Sequence, residues 1–456
     1  MITRTLKQIA LMLGIECDKY IDLNITGVSI DSRKVEAGNL FVPFKGENVD
    51  GHAYVEKAVA NGAVATLWQK DVPNPPTDLP ILFVEDTLTA LQMIAEKYLQ
   101  EVSPIVIGIT GSNGKTTTKD MTASVLAQKY KVHKTEGNFN NHLGLPLTIL
   151  RMAEDTEVAV LEMGMSGKGE IELLSTLAKP QLAVITNIGE SHLLDLGSRE
   201  GIADAKLEIL TGLQENGVVI YNGDEPLLKE KLKHTSFNLQ SFGRSQQNTI
   251  YPLHIEAGNE NTKFITNACA DEFTIPVLGN HNVLNAMAAI LVATELNVSP
   301  EQIRTGLVEL KMTGMRMEMV IGINGEKIIN DAYNASPTAM RAAIELVSEL
   351  PGFKNKLLVL GDMLELGAEE VQFHKMIGES IKPNTIQKLF TYGPLGQHIA
   401  EGALQTLGAD AVFAFQDKQA LIEELKKHIE KDDLILVKAS RGMKLEEVVQ
   451  ALQKAE

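Results

Sequence analysis

The sequence predicts an α/β protein of three domains, a small α/β unit followed by two open and largely parallel sheets, and three observations carry that expectation. At 456 residues the chain exceeds what one hydrophobic core usually organises. From Ser103 onward, short aliphatic runs alternate with helical patterns in the order of a doubly wound sheet. After Thr313-Gly314 the alternation starts afresh, so the expected domains are residues 1–100, 101–313 and 314–456.

The first domain opens with the apolar run Ile9–Ile15 behind Arg4 and Lys7. It resembles a signal peptide only superficially, because Glu16 and Asp18 follow without a small-residue cleavage site, and it reads as an amphipathic helix. LFVPF at Leu40–Phe44 reads as a strand, Tyr54–Ala60 as a helix, Ala63–Leu67 as a strand and Pro73–Pro76 as a loop. In the second domain the strands are Ile105–Thr110, Val158–Leu161, Leu182–Ile188 and Val218–Tyr221, alternating with helices after Lys115, at Glu170–Ala178 and from Arg199. HIEA and KFIT follow Phe242 as short strands, before helices at Asn282–Leu296 and Glu301–Lys311. KIIND, KLLVLGD, KLFTYG, AVFAF and DLILVKAS are the strands of the third domain, with a helix from Thr338. That alternation describes a Rossmann-like open sheet.

Hydrophobic residues at 44% and charged residues at 22% leave enough apolar side chain for real cores and exclude a disordered chain. The net charge of -17 argues against non-specific nucleic-acid binding, so an anionic ligand must meet focused Lys, Arg or helix N-termini. Cys17 and Cys269 stand far apart without a CxxC, which suggests neither a disulfide framework nor zinc and fits a reducing cytoplasm. Apolar runs such as Ala286–Ala293 fall short of the roughly 20 residues that span a bilayer, so no membrane insertion is expected.

The strand Ile105–Thr110 runs into Gly111-Ser112-Asn113-Gly114-Lys115-Thr116-Thr117, the pattern of a phosphate cradle. Gly111 and Gly114 let backbone N–H groups approach phosphate oxygens, Lys115 can reach the terminal phosphates, Thr116 can hold Mg²⁺, and the following helix offers its N-terminus. The pattern departs from GxxxxGK[ST], since the first glycine should fall at Ile109 and the nearest is Gly108. Alone, the motif points to a nucleotide and names no reaction.

Ligands of open parallel sheets sit at the carboxyl ends of the strands. Glu162 ends VAVLE and His192 follows LAVITNIGES, which places a carboxylate and an imidazole at the edge that carries the phosphate loop, where with Thr116 they could complete a Mg²⁺ shell. Helix capping by Glu162 and a loop hydrogen bond from His192 are the plainer alternatives. Ile202, Lys206, Ile209 and Leu213 share one helical stripe, so Lys206 faces inward. A desolvated lysine could take up CO₂ as a carbamate; spacing alone favours a snorkelling side chain paired with Asp204 or Glu208. Asn282 and Asn285 open a helix with amides that can bind a purine edge or cap the helix. Arg316, just past Gly314, could swing onto a γ-phosphate or pair with Glu318, and Asp331, ending KIIND, could bind a ribose hydroxyl or stay structural.

Taken in order, TGSNGKTTT, GNFNNHLGLPLT, LEMGMSGKGEI, TNIGESH, AKLEI, GNHNVLNA, the Arg316 hinge, NDAYNASP, GDMLELG and KASRG resemble the Mur ligase family nearly end to end. Within it GNFNNHLGLPLT, DAYNASP, GDMLELG and the opening DSRKVEAGNLFVPFKGENVDGH are most similar to the branch that adds D-alanyl-D-alanine to UDP-N-acetylmuramoyl-tripeptide. The resemblance implies one domain for the UDP-sugar, a central ATPase-type domain and one for the incoming amine. It implies an ATP-dependent ligase that works through an acyl phosphate. Thr110, Gly111, Ser112, Asn113, Gly114, Lys115, Thr116 and Thr117 would bind ATP, together with Asn282, Asn285, Arg316 and Asp331. Thr116, Glu162 and His192 would help hold Mg²⁺, and Lys206, as a carbamate, a second ion; Lys115 and Arg316 complete the catalytic set. Ser32, Arg33, Asn138, Asn140 and Asn141 fall where the UDP-muramoyl-peptide is expected, and Asn334, Lys438, Ser440 and Arg441 where the amine substrate is.

The nearest rivals are another amide ligase of the same family and a folylpolyglutamate synthase, and GNFNNHLGLP argues against both. A phosphate-loop kinase or NTP-driven binding module would leave the inward Lys206 and the third domain without a purpose. The expected partners are the small-molecule substrates, with the chain a cytoplasmic monomer.

Overall fold

The computed structural model describes residues 1–46, 49–258 and 260–453. Glu47 and Asn48, inside the DSRKVEAGNLFVPFKGENVDGH strip, lie outside the described residues. Thr3–Thr5 (β1) pairs antiparallel with Asn24–Thr26 (β2), and Val28–Ser29 (β3), Leu40–Phe41 (β4), Ala65–Gln69 (β5) and Ile81–Val84 (β6) form a parallel sheet in that order. The strand expected at Leu40–Phe44 stops at Phe41; Pro43, two residues on, has no N–H to continue a ladder. The first helix, Leu6–Leu13, begins at a reciprocal cap between Thr5 and Gln8 and buries Leu6, Ile9, Ala10, Met12 and Leu13.

Ile105–Thr110 (β7), Val132–Lys134 (β8), Val158–Glu162 (β9), Leu182–Ile185 (β10), Val218–Asn222 (β11) and Asn238–Phe242 (β12) make one parallel sheet in the order β12-β11-β10-β7-β9-β8. Their inner residues are apolar on both faces because helices cover both, as a parallel sheet requires. β10 ends at Ile185, short of the expected Ile188, because Thr186 and Asn187 turn away to hold the phosphate loop. Pro252–Ala257 (β13), Thr262–Thr266 (β14) and Cys269–Ile275 (β15) form a small antiparallel sheet. The helix after it runs Asn280–Glu295, and the next is Pro300–Val308, opened by a Ser299/Gln302 capping box rather than at Glu301.

Glu318–Ile321 (β16), Lys327–Asp331 (β17), Lys356–Gly361 (β18), Lys388–Tyr392 (β19), Val412–Phe415 (β20) and Leu434–Lys438 (β21) form the last sheet, in the order β16-β17-β21-β18-β19-β20 with only β16 antiparallel. Its first helix starts at Pro337, with Ser336 as N-cap. The three-part α/β architecture expected from the alternation is present. Its first two parts share one apolar core, which runs from Ile2 through Leu99 to Leu232, and the Tyr98 hydroxyl inside it donates to the Met152 carbonyl at 2.8 Å. The last sheet has its own cores on its two faces.

On the helix Glu370–Glu379 beside the last sheet, His374 is wholly buried: Nε2 accepts the Met363 N–H at 2.8 Å and Nδ1 donates to the Glu370 carbonyl at 2.6 Å. Burial holds its pKa below the ordinary 6.5. Its stabilising contribution is therefore complete above the unfolded-state value and lost as pH falls through the lower folded-state one. We expect His374→Ala to destabilise the protein by about 1–3 kcal/mol at neutral pH and to flatten the decline of its thermal midpoint in mild acid. Unfolding scans across that pH range check both.

Candidate active site

The carboxyl ends of β7, β9, β10 and β11 face those of β17 and β21 across a cavity of about 480 Å³. Loop residues just past each strand line it, so two separate sheets present their ligand-binding edges to the same space. A side chain of the central sheet and one of the last sheet can therefore touch one ligand.

The phosphate loop is held open from β10. The Thr186 hydroxyl donates to the Asn113 carbonyl at 2.5 Å, Asn187 Oδ1 accepts the Asn113 N–H at 2.8 Å, and the Asn187 carbonyl accepts the Ser112 N–H at 3.1 Å. Asn113 and Ser112 thus spend their N–H groups on the protein. The donors left for an anion are those of the first turn of the helix Lys115–Leu126, which has no side-chain cap. Gly111 (φ 144°) and Gly114 (φ 79°) are required: a Cβ at the first would strike the Thr186 hydroxyl, and at the second would lie 2.6 Å from Asn285 Oδ1. Lys115 Nζ donates to the Gly111 and Ser112 carbonyls at 2.7 and 3.3 Å, and burial lowers its pKa.

Glu162, 1% exposed, does not cap a helix. Its Oε2 accepts the Thr116 hydroxyl at 2.8 Å and its Oε1 the Asn140 Nδ2 at 2.7 Å. Hard oxygen donors beside a phosphate site suit Mg²⁺. Among the described residues no group of three or more His, Cys, Asp or Glu could hold a metal, so a cation here would rest on Thr116, Glu162, His192 and the ligand's own oxygens.

Lys206 lies on the helix Arg199–Leu207 and is 1% exposed. The ion pair with a neighbour on its own helix that spacing alone favoured is absent: Asp204 binds Lys231, and Glu208 accepts the Gly169 and Glu172 N–H groups. Among the described residues Lys206 has no ion pair or side-chain hydrogen bond. Burial first, and then the charge of Lys115, push its pKa well below the ordinary lysine value, which favours the neutral amine. His192 lines the cavity, takes a left-handed backbone (φ 65°) and places Nδ1 2.7 Å from a Glu365 carboxylate oxygen on the last sheet's side. Its pKa is lowered, chiefly by burial.

Arg316 also lines the cavity, its guanidinium 4.1 Å above the Tyr333 ring and its Nε without a hydrogen-bond partner among the described residues. It makes no ion pair with Glu318, which instead accepts the Met315 N–H and the Asn330 amide. Met315 and Met317 flank it in left-handed conformations (φ 61° and 51°). Asp331 accepts Lys438 Nζ at 2.6 Å and the Met317 N–H at 3.2 Å, and Lys438 donates also to the Asn334 carbonyl.

Asn282 and Asn285 line the same space, bonded to each other, to the Leu278 carbonyl and to Thr118. Asn138, Asn140 and Asn141 line it too, although Asn141 also caps its own turn through the Leu143 and Gly144 N–H groups. Thr110, Gly111 and Lys206 lie outside the lining, and so do four of the substrate candidates. The Ser32 carbonyl accepts from Asn61, Arg33 pairs with Asp31, Ser440 Oγ accepts the Leu364 N–H, and Arg441 pairs with Glu446. Sequence reasoning missed Thr186, Asn187 and Tyr333, and missed the contacts that bind the last sheet over the loop: Asn113 to Ser336 at 3.2 Å, Thr338 to Glu190 at 2.8 Å, and Glu365 to His192 and Leu194. The strand-end rule that singled out Glu162 and His192 would have found Asn187.

Three family descriptions match successive stretches: "Mur ligase family, catalytic domain" over residues 24–99, "Mur ligase middle domain" over 109–293 and "Mur ligase, glutamate ligase domain" over 315–441. The UDP-N-acetylmuramoyl-tripeptide–D-alanyl-D-alanine ligase of Bacillus subtilis is 54% identical over 454 residues, 99% of each chain. A crystal structure of MurF from Acinetobacter baumannii superposes with a TM-score of 0.87 at 30% identity, covering 99% of this chain and 98% of that one. The MurF ligase of Thermotoga maritima, solved in complex with ADP, gives 0.82 at 30% identity over 93% and 96%. Two sheet edges closing on one phosphate loop, matched along almost the whole sequence, make the conclusion plain: the chain belongs to the Mur ligase family.

Proposed function

We propose that this chain is an ATP-dependent amide ligase that joins D-alanyl-D-alanine to the terminal carboxylate of UDP-N-acetylmuramoyl-tripeptide, in peptidoglycan precursor synthesis. One observation carries the reading: the phosphate loop and the carboxyl edges of two sheets share a single cavity, in a chain 54% identical end to end with a ligase of that name. Residues 1–100 take the UDP-muramoyl peptide, 101–313 ATP and 314–456 the dipeptide.

A carboxylate is a poor electrophile, so it must be activated before an amine can attack. An oxygen of the peptide's terminal carboxylate attacks the γ-phosphorus and ADP leaves, giving an acyl phosphate. The dipeptide nitrogen then adds to the carbonyl carbon, and the tetrahedral intermediate expels phosphate. Lys115 and the first helical turn hold the phosphates, and Arg316, lifted from Tyr333, meets the charge that develops on the γ-phosphoryl group. Asn282, Asn285 and Asp331 hold the nucleoside end. Asn140 has a second duty beside substrate contact, since its amide orients Glu162. Thr116, Glu162 and His192 would hold Mg²⁺, which would supply positive charge beside the phosphates. Lys206, whose burial favours the neutral amine, would add its nitrogen to CO₂ and lose a proton, which turns the amine into a carboxylate-like ligand. Asn334 and Lys438, which line the cavity, would meet the dipeptide.

ADP release should require both UDP-tripeptide and D-Ala-D-Ala, and comparable turnover without the dipeptide would defeat the ligase reading. Lys115→Ala should lower kcat roughly 10²–10³-fold, as loss of a transition-state donor does. Lys206→Ala should lose activity about 10–100-fold and regain part of it with added formate or acetate; wild-type rates in that variant would remove the carbamate from the mechanism.

A further inference from the structure

We propose that Asp120 is a positioning residue for the closure of the last sheet: it fastens Thr313, and with it the pivot that carries Arg316, to the phosphate-loop helix. Asp120 lies on the helix Lys115–Leu126 with its side chain fully buried. Its Oδ2 accepts both the N–H and the hydroxyl of Thr313, at 2.9 and 2.8 Å. Its Oδ1 accepts Lys134 Nζ at 2.6 Å and stands 3.2 Å from Lys119 Nζ. A carboxylate buried without water needs such partners, and here half of them are spent on one linker residue 193 positions away in sequence.

Beyond the linker the anchoring changes sides. The Met315 N–H donates to Glu318 at 2.9 Å and the Met317 N–H to Asp331 at 3.2 Å, both on the last sheet. Between the two sets of anchors lies only the exposed Gly314. Rotation is thus concentrated at one residue, and any slack at Thr313 is passed directly to Arg316. The same buried cluster reaches the other wall of the site, because Lys119 Nζ donates to the Thr135 carbonyl and the Thr135 hydroxyl accepts the Glu162 N–H. Asp120 therefore sets the distance between pivot and phosphate loop, an arrangement in which an ångström of error costs rate steeply. This inference rests on the ligase reading for its kinetic consequence and on geometry alone for the anchor.

The test uses full-length Thr313→Val, which keeps the shape and removes the hydroxyl, beside Thr313→Ser and Asp120→Asn. We expect Thr313→Val to form amide about tenfold more slowly with the KM for ATP unchanged, while Thr313→Ser restores most of the rate. Backbone amides of residues 313–317 should exchange hydrogen several-fold faster in Thr313→Val and Asp120→Asn, with the exchange of the central sheet unchanged. An unchanged kcat in Thr313→Val, a KM for ATP that rises as kcat falls, or unchanged exchange in the linker would each overturn the proposal. Were the wild type itself to form no amide, the ligase reading would fail, and linker exchange would still decide the anchor.

Discussion

The structure depends on the way Thr186 and Asn187 of one strand end hold the backbone of the neighbouring phosphate loop. A helix N-terminus attracts an anion only when its first N–H groups are free and aimed at one point. The hydrogen bonds from β10 occupy the donors of Ser112 and Asn113 and leave those of the first helical turn for a ligand. Because Asn113 also reaches Ser336 at the N-cap of the last sheet's first helix, the same few residues set where that sheet docks.

This constraint accounts for how a chain of net charge -17 can manage anionic substrates. Lys115, Arg316 and Lys438 line one cavity, and Lys206 is close enough to feel Lys115. Desolvation by itself would make such a cluster unfavourable. The residues meet that difficulty differently: Arg316 stacks on Tyr333, Lys438 pairs with Asp331, Lys115 turns to loop carbonyls, and Lys206 has a strongly lowered pKa.

Much of this was legible in the sequence, and the reasons differ from residue to residue. Strand-helix alternation gave the parallel sheets, since burial on both faces writes continuous apolar runs such as VAVL before Glu162. Glu162, His192 and Arg316 could be singled out because strand ends and hinges are where open sheets bind ligands, and Asn282 and Asn285 because amides open a helix there; all five line one cavity. What escaped was partnership. Nothing in the spacing of Lys206 says that Asp204 would turn to Lys231, and nothing local in GDMLELG says that Glu365 would reach His192. Element ends slipped where a single residue had another task, as at Thr186, or lacked a donor, as at Pro43. The roles of Ser32, Arg33, Ser440 and Arg441 came from resemblance alone, and their observed partners, Asn61, Asp31, Leu364 and Glu446, all lie outside the cavity lining.

The central claim is that both sheet edges act on one triphosphate. A crystal structure with a non-hydrolysable ATP analogue and Mn²⁺ tests it most directly, because anomalous scattering locates the metal independently of the protein. The account predicts the γ-phosphate within hydrogen-bonding distance of Lys115 and Arg316, with a manganese peak between it and the oxygens of Thr116 and Glu162. A triphosphate bound away from the Gly111–Thr117 loop, or a metal remote from Glu162 with Arg316 still stacked on Tyr333, would contradict it.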